Sequence, residues 1–258
     1  MKERKKIKSD MGWSTRDSIT VRGFDLTDQL LGKIDLGGMA FLEIKGRLPS
    51  AQEAEVFNAL LVTLVEHGMT PQAMVTRLVN LAAPEALQAA VAAGLCGVGS
   101  VFAGGSEQTA RVLQEALANR DDGKPLAEIA NSIVADFAAR RQPIPGIGHP
   151  LHKPIDPRTP VLFGIAERNG FRGQYVELLE AVSRAAEVRL NRELPINATG
   201  AVGAILCELD FPWRICRGIA VISRAVGLVG HLAEEMKNPL AREMWERTEE
   251  EVFENRDQ

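Results

Sequence analysis

Apolar positions recur at three- and four-residue intervals along most of the chain, and Gly or Pro breaks separate one such stretch from the next. Ser50, followed three residues on by Glu53, forms a capping box at a helix start. Behind it Val56, Phe57, Leu60, Leu61, Leu64 and Val65 mark one helical face that ends at His67-Gly68. Thr70-Pro71 starts the next helix with proline at its first position, and Ala83-Pro84 starts another. Residues 85–103 are mostly Ala, Gly and Val, so this helix can lie close to its neighbours in a core or at a dimer interface. Amphipathic spacing then predicts helices over 106–119, 125–141, 160–169, 174–193, 201–209, 212–236 and 239–253. Strand signals are weak and confined to Ser18–Arg22. The pattern predicts an all-α fold.

A chain of 258 residues can bury a sizeable core. Its net charge of −4 argues against nucleic acid as the main partner. Cys96, Cys207 and Cys216 have no metal-ligand spacing and are odd in number, which suits a reduced, cytoplasmic setting with inert thiols. The basic start from Met1 to Lys8 has no apolar run behind it, so it reads as a solvated tail. Charged residues punctuate every apolar stretch, and none is expected to cross a membrane.

Residues 146–158 read Gly146-Ile147-Gly148-His149-Pro150-Leu151-His152-Lys153-Pro154-Ile155-Asp156-Pro157-Arg158. Glycines on either side of Ile147 permit positive φ or close backbone approach to a ligand. His149 projects from a loop and can polarise or protonate an oxygen near neutral pH, while Arg158 offers a planar fork to a carboxylate. A plain turn carrying a surface His and Arg is the bland reading of Gly-x-Gly-His alone. The prolines and the Asp-Pro-Arg unit make the whole string more specific.

The string resembles the Gly-x-Gly-His-x-x-x-Lys-x-x-Asp-Pro-Arg signature of the citrate synthase family. Ile19–Leu26, Gly46-Arg47-Leu48-Pro49, Glu66–Thr70 and Ser223–His231 resemble further family segments. In length the chain is more similar to the compact citryl-CoA lyases and the C-terminal module of ATP-citrate lyase. The resemblance implies a large helical domain, residues 1–103 and 201–258, with a small one, about 104–200, inserted and the substrate between them. It implies His149 and His67 at the reacting substrate, Arg158, Arg224 and His231 as substrate contacts, and Pro145, Gly146, Ile147, Gly148 and Lys153 at coenzyme A. It also implies a homodimer or dimer of dimers. His67 could instead only cap its helix, Arg224 could hold a structural carboxylate, and His231 could be a core or interface histidine. His152 and Lys153 could be merely solvated, whereas Lys153 and Arg140-Arg141 could attract phosphates.

Three departures bear on the chemistry. Ala103 stands where the synthases carry a histidine that stabilises the enolised thioester, Thr199 replaces the family's acid–base aspartate, and Asn238 replaces an arginine used on a distal carboxylate. Glu107 and Glu208 are nearby in sequence as substitutes. The expectation is a citryl-CoA lyase-like carbon–carbon lyase that takes a CoA thioester as substrate, yields acetyl-CoA and a 2-oxo acid, and holds no permanent cofactor and no metal. The alternatives are a lyase for a different 3-hydroxyacyl-CoA, a citrate or methylcitrate synthase, and a CoA-binding homologue that has lost chemistry.

Overall fold

The computed structural model describes residues 7–102, 104–119 and 123–254. It is all-α, as the periodicity predicts, apart from a short meander near the N-terminus. Backbone packing divides the chain into units 1–59 and 60–258. This division falls elsewhere than the boundaries near 104 and 200 that the resemblance implies.

In the first unit, β1 (Gly12–Ser14), β2 (Ile19–Val21) and β3 (Phe24–Asp25) pair antiparallel in sequence order. Arg22 and Gly23 both adopt positive φ, 51° and 87°, the conformation of a two-residue hairpin turn. Asp25 then caps a π-helical turn, Leu26–Leu30. Helix α1 (Leu36–Lys45) has no counterpart in the amphipathic pattern, because Gly37 and Gly38 weaken its helix propensity. It forms because Asp35 accepts the Gly38 N–H at 2.6 Å and Gly46, at φ 74°, closes its end. Helix α2 (Ala51–Val65) begins with the expected capping box: Ser50 N–H donates to Glu53 at 2.8 Å, and Glu53 N–H to Ser50 Oγ at 3.1 Å.

The second unit contains α3 (Pro71–Ala82), α4 (Leu87–Cys96), α5 (Gly105–Ala118), α6 (Leu126–Ala139), α7 (Arg158–Arg168), α8 (Gln174–Leu190), α9 (Ala198–Glu208), α10 (Trp213–Glu235) and α11 (Ala241–Glu254). Helix α4 stops at Cys96, short of the expected 103, where Gly97 and Gly99 turn the chain. Helix α9 is buried over nearly its whole length, with α5, α7, α8 and α10 packed around it. It starts three residues earlier than its apolar pattern, because Asn197 accepts the Gly200 N–H and caps it. Helix α10 is, by length and composition, apolar enough to cross a membrane, contrary to the sequence expectation. Its apolar stripe instead packs on α3, α4 and α5, and the same buried stripe carries Arg224, His231 and Glu235.

Candidate active site

The Gly146–His149 loop is stitched to the start of α9. Asn197 N–H donates to the Gly146 carbonyl at 3.0 Å, Gly148 N–H to that of Pro195 at 2.6 Å, and Asn197 Nδ2 to that of Gly148 at 2.8 Å. Both glycines have positive φ, 81° and 86°. The close approach foreseen at this loop is to a helix: a Cβ on Gly146 would lie 2.7 Å from Gly200 Cα, and one on Gly200 would lie 2.4 Å from the Gly146 oxygen.

Asp156 anchors the far end of the loop. Fully buried, it accepts Arg158 Nε at 2.9 Å, Arg158 Nη2 at 2.8 Å, the Arg158 N–H at 3.1 Å and the Ala198 N–H at 2.9 Å. Burial alone would raise its pKa, but the bonds from Arg158 and Ala198 hold it at about 2. Arg158 is thereby oriented through Nε and Nη2, leaving Nη1 for a ligand.

His67, His149, Arg158, Thr199 and Arg224 line one open pocket of about 400 Å³. Nδ1 of His149 accepts the N–H groups of Leu151 at 3.1 Å and His152 at 2.9 Å. Backbone amides only donate, so in the neutral ring the proton is on Nε2. Burial first, and the neighbouring His152 next, lower the His149 pKa; burial, Arg158 and Arg224 lower that of His67. Both imidazoles are therefore neutral near pH 7. His152 stacks on His149 with ring centres 4.3 Å apart. One ring nitrogen each from His67, His149 and His152 lies within 4.8 Å of the others, which makes this trio, unforeseen in the sequence, a group able to hold a metal ion.

Arg224 is 6% exposed, and among the described residues its Nε and Nη1 have no hydrogen-bond partner. Burial lowers its pKa, and Glu66 opposes that. A buried guanidinium without a paired carboxylate is costly unless a ligand supplies the anion. Glu66 is committed elsewhere: its Oε1 accepts the His67 N–H at 2.8 Å and the Gly68 N–H at 2.5 Å. His231 Nε2 lies 3.0 Å from Glu66 Oε2, and His231 Nδ1 accepts Arg77 Nη2 at 2.9 Å. Fully buried Arg77 also binds Glu234 and Glu235, and Glu235 caps α11. The structure thus places His231 in a network behind His67, outside the pocket where the resemblance puts it.

Arg141, Arg189 and Arg192 line a second cleft of about 400 Å³ together with Ile144, Ile147 and Leu194. Gly148 faces the histidine pocket, Ile147 this cleft, and Pro145 a third depression. Lys153 is exposed and lines neither of the first two. Arg140 turns away to Asp136 and Phe137. Arg189 and Arg192, absent from the sequence reading, could have been suspected from the basic end of α8 beside Leu194-Pro195. Ala103 lies outside the described residues. Thr199 reaches the pocket, but its hydroxyl donates to Asn197 Oδ1 at 2.7 Å. Glu107 pairs with Arg217 and Glu208 caps α8, so neither substitutes for the missing aspartate.

The model for the citrate synthase C-terminal domain matches residues 29–247. The chain belongs to the citrate synthase family. Among solved structures of the family, citryl-CoA lyase from Hydrogenobacter thermophilus is similar at a TM-score of 0.80 and 32% identity, over 90% of this chain and 88% of that one. ATP citrate lyase from Methanothrix soehngenii, in complex with citrate and coenzyme A, shares the fold at a TM-score of 0.76 and 21% identity, over 92% of this chain and 40% of that one. Citrate synthase from Helicobacter pylori is 28% identical over 200 residues, 74% of this chain and 45% of the relative. Probable ATP-citrate synthase from Dictyostelium discoideum is 23% identical over 239 residues, 86% of this chain and 37% of the relative. The chain spans less than half the length of these two relatives. It is an enzyme of the citrate synthase superfamily.

Proposed function

We propose that the chain is a citryl-CoA lyase-like carbon–carbon lyase, cleaving a 3-hydroxy-3-carboxyacyl-CoA to acetyl-CoA and a 2-oxo acid such as oxaloacetate. The observation that carries this reading is the buried guanidinium of Arg224, whose Nε and Nη1 have no hydrogen-bond partner among the described residues, in one pocket with His67, His149 and Arg158. Arg224 and Nη1 of Arg158 would take carboxylate oxygens, and His149 Nε2–H would donate to the hydroxyl oxygen that becomes the ketone. The arginine-rimmed cleft would hold the coenzyme A nucleotide, with Ile144 and Ile147 against the adenine and Arg141, Arg189 and Arg192 near its phosphates.

The likeness to the Hydrogenobacter lyase favours cleavage. The Thr199 hydroxyl already donates to Asn197 and is no base for a carbon-bound proton, and since both directions run through the same groups, cleavage too needs another proton carrier.

The test is to incubate purified protein with citryl-CoA and measure acetyl-CoA and oxaloacetate by mass spectrometry. Citryl-CoA left intact overturns the reading. A less carboxylated acyl group is the second reading, favoured because Asp156 engages Arg158 and because Val101, Phe102 and Leu151 give the pocket an apolar lip. Turnover of a thioester with one free carboxylate in preference to citryl-CoA would establish it.

A further inference from the structure

His67 stands on the short link between α2 and α3, where Glu66, His67, Gly68 and Met69 are all exposed. Burial therefore does little to fix the turn. Its hold is a carboxylate: Glu66 Oε1 accepts the N–H of His67 at 2.8 Å and that of Gly68 at 2.5 Å. One oxygen thus ties the backbone on both sides of the His67 Cα, and Gly68 supplies the positive φ, 74°, that the turn needs.

Glu66 is itself half exposed, and its other oxygen meets a buried group. Oε2 lies 3.0 Å from Nε2 of His231 on α10. Arg77 approaches the opposite nitrogen of that ring, Nδ1, through Nη2 at 2.9 Å and Nε at 3.2 Å. A guanidinium only donates, so Nδ1 accepts and the ring proton sits on Nε2, facing the carboxylate. Fully buried Arg77 is held in turn by Glu235 at 2.5 Å and by Glu234. Gly227, one turn before His231, lets α10 come this near: a Cβ there would lie 2.1 Å from the Val65 carbonyl oxygen and 3.2 Å from Glu66 Oε2. His231 itself lines no part of the pocket that His67 enters.

We propose that His231 is a positioning residue for substrate binding: it holds Glu66, Glu66 holds the turn, and the turn aims His67 into the pocket. The identity of the substrate rests on the lyase reading. Glu66 also places its charge near Arg224, but that role does not pass through His231, so the decisive variants are made at His231.

Two variants divide the ring's contacts. His231→Asn keeps a polar atom at the Nδ1 position for Arg77 and leaves nothing at Nε2 for Glu66. His231→Gln places its amide nitrogen at the Nε2 position and gives up the contact with Arg77, which retains Glu234 and Glu235. The measurements are amide hydrogen exchange by NMR, calorimetry with oxaloacetate and with coenzyme A, and turnover of citryl-CoA. In the Asn variant, exchange at His67 and Gly68 should rise about tenfold or more, and oxaloacetate affinity and kcat/KM should fall about tenfold or more, with coenzyme A affinity unchanged. The Gln variant should stay within about threefold of wild type in all of these. Glu66→Ala, at an exposed site, should reproduce the faster exchange of the turn and serves if the Asn variant does not fold. An Asn variant that behaves as wild type, a Gln variant that falls as far as Asn, or exchange that rises equally along α3 and α10 overturns the proposal. Wild-type protein inert toward citryl-CoA overturns the lyase reading, while the exchange and oxaloacetate measurements still decide the role of His231.

Discussion

The backbone N–H of His152 donates to Nδ1 of His149 at 2.9 Å, and the two rings stack 4.3 Å apart. One short loop thus fixes the tautomer of the first imidazole and brings a second beside it. The same loop is tied to α9 by Asn197, so histidines and anion-binding groups share one rigid support.

His149 and His67 are expected to titrate below the usual imidazole value of about 6.5, because burial penalises their charged forms. With four histidines in the chain, proton NMR titration with single His→Gln variants as assignments can resolve each. Midpoints above the usual value for both would contradict the environment described.

Replacing Arg224 with methionine should weaken ligand binding without harming the fold. The unpaired buried charge disappears, so the melting temperature of the free protein should hold or rise, by about 1 kcal/mol in stability. Affinity for the oxo acid should fall by a factor of about 30 or more, as expected for a charge-assisted bond. Calorimetry and thermal melts on the same variant measure both; a large drop in stability with binding retained would make the residue structural.

Asp156→Asn should be destabilising by about 3 kcal/mol, since it leaves Arg158 without its buried partner. The Asp156 pKa falls from 3.8 to about 2 on folding, so its contribution is fully present above the higher value and lost as pH drops through the lower. Urea unfolding at pH 7, 4 and 2.5 should therefore show wild type losing part of its advantage over the variant at the lowest pH. An unchanged difference would count against the linkage.

Charge removal at Arg141, Arg189 and Arg192 tests the second cleft. Each Ala substitution should raise the Kd for coenzyme A about three- to tenfold, with a shallower salt dependence, while oxo acid affinity holds. Titration calorimetry at two ionic strengths separates these outcomes. Unaltered coenzyme A affinity in the triple variant would move the nucleotide elsewhere.

Much of the fold was legible because helix boundaries here depend on local chemistry. The Ser50–Glu53 box, Pro71 and the Gly and Pro breaks act within a few residues, and the structure follows them. Helix α1 was not legible, since its stability comes from an aspartate cap and burial of Phe41 and Leu42 that its glycines hide. At the site, His67, His149, Arg158 and Arg224 were legible as motif residues, and the structure gathers them in one pocket. For His231 the sequence left a substrate contact and a core histidine open, because a helical spacing cannot say which neighbour faces a side chain; in the structure Arg77, 154 residues away, bonds it.

By itself the sequence determined the helical class, the family and the loop that carries His149, all of which are encoded in short-range spacing and residue type. Tertiary structure alone decided that buried Asp156 accepts the Ala198 N–H, that Nε and Nη1 of Arg224 have no hydrogen-bond partner among the described residues, and that His67 joins His149 and His152. Those relations join segments far apart in the chain, and hydrogen-bond direction and burial exist only once the segments have packed.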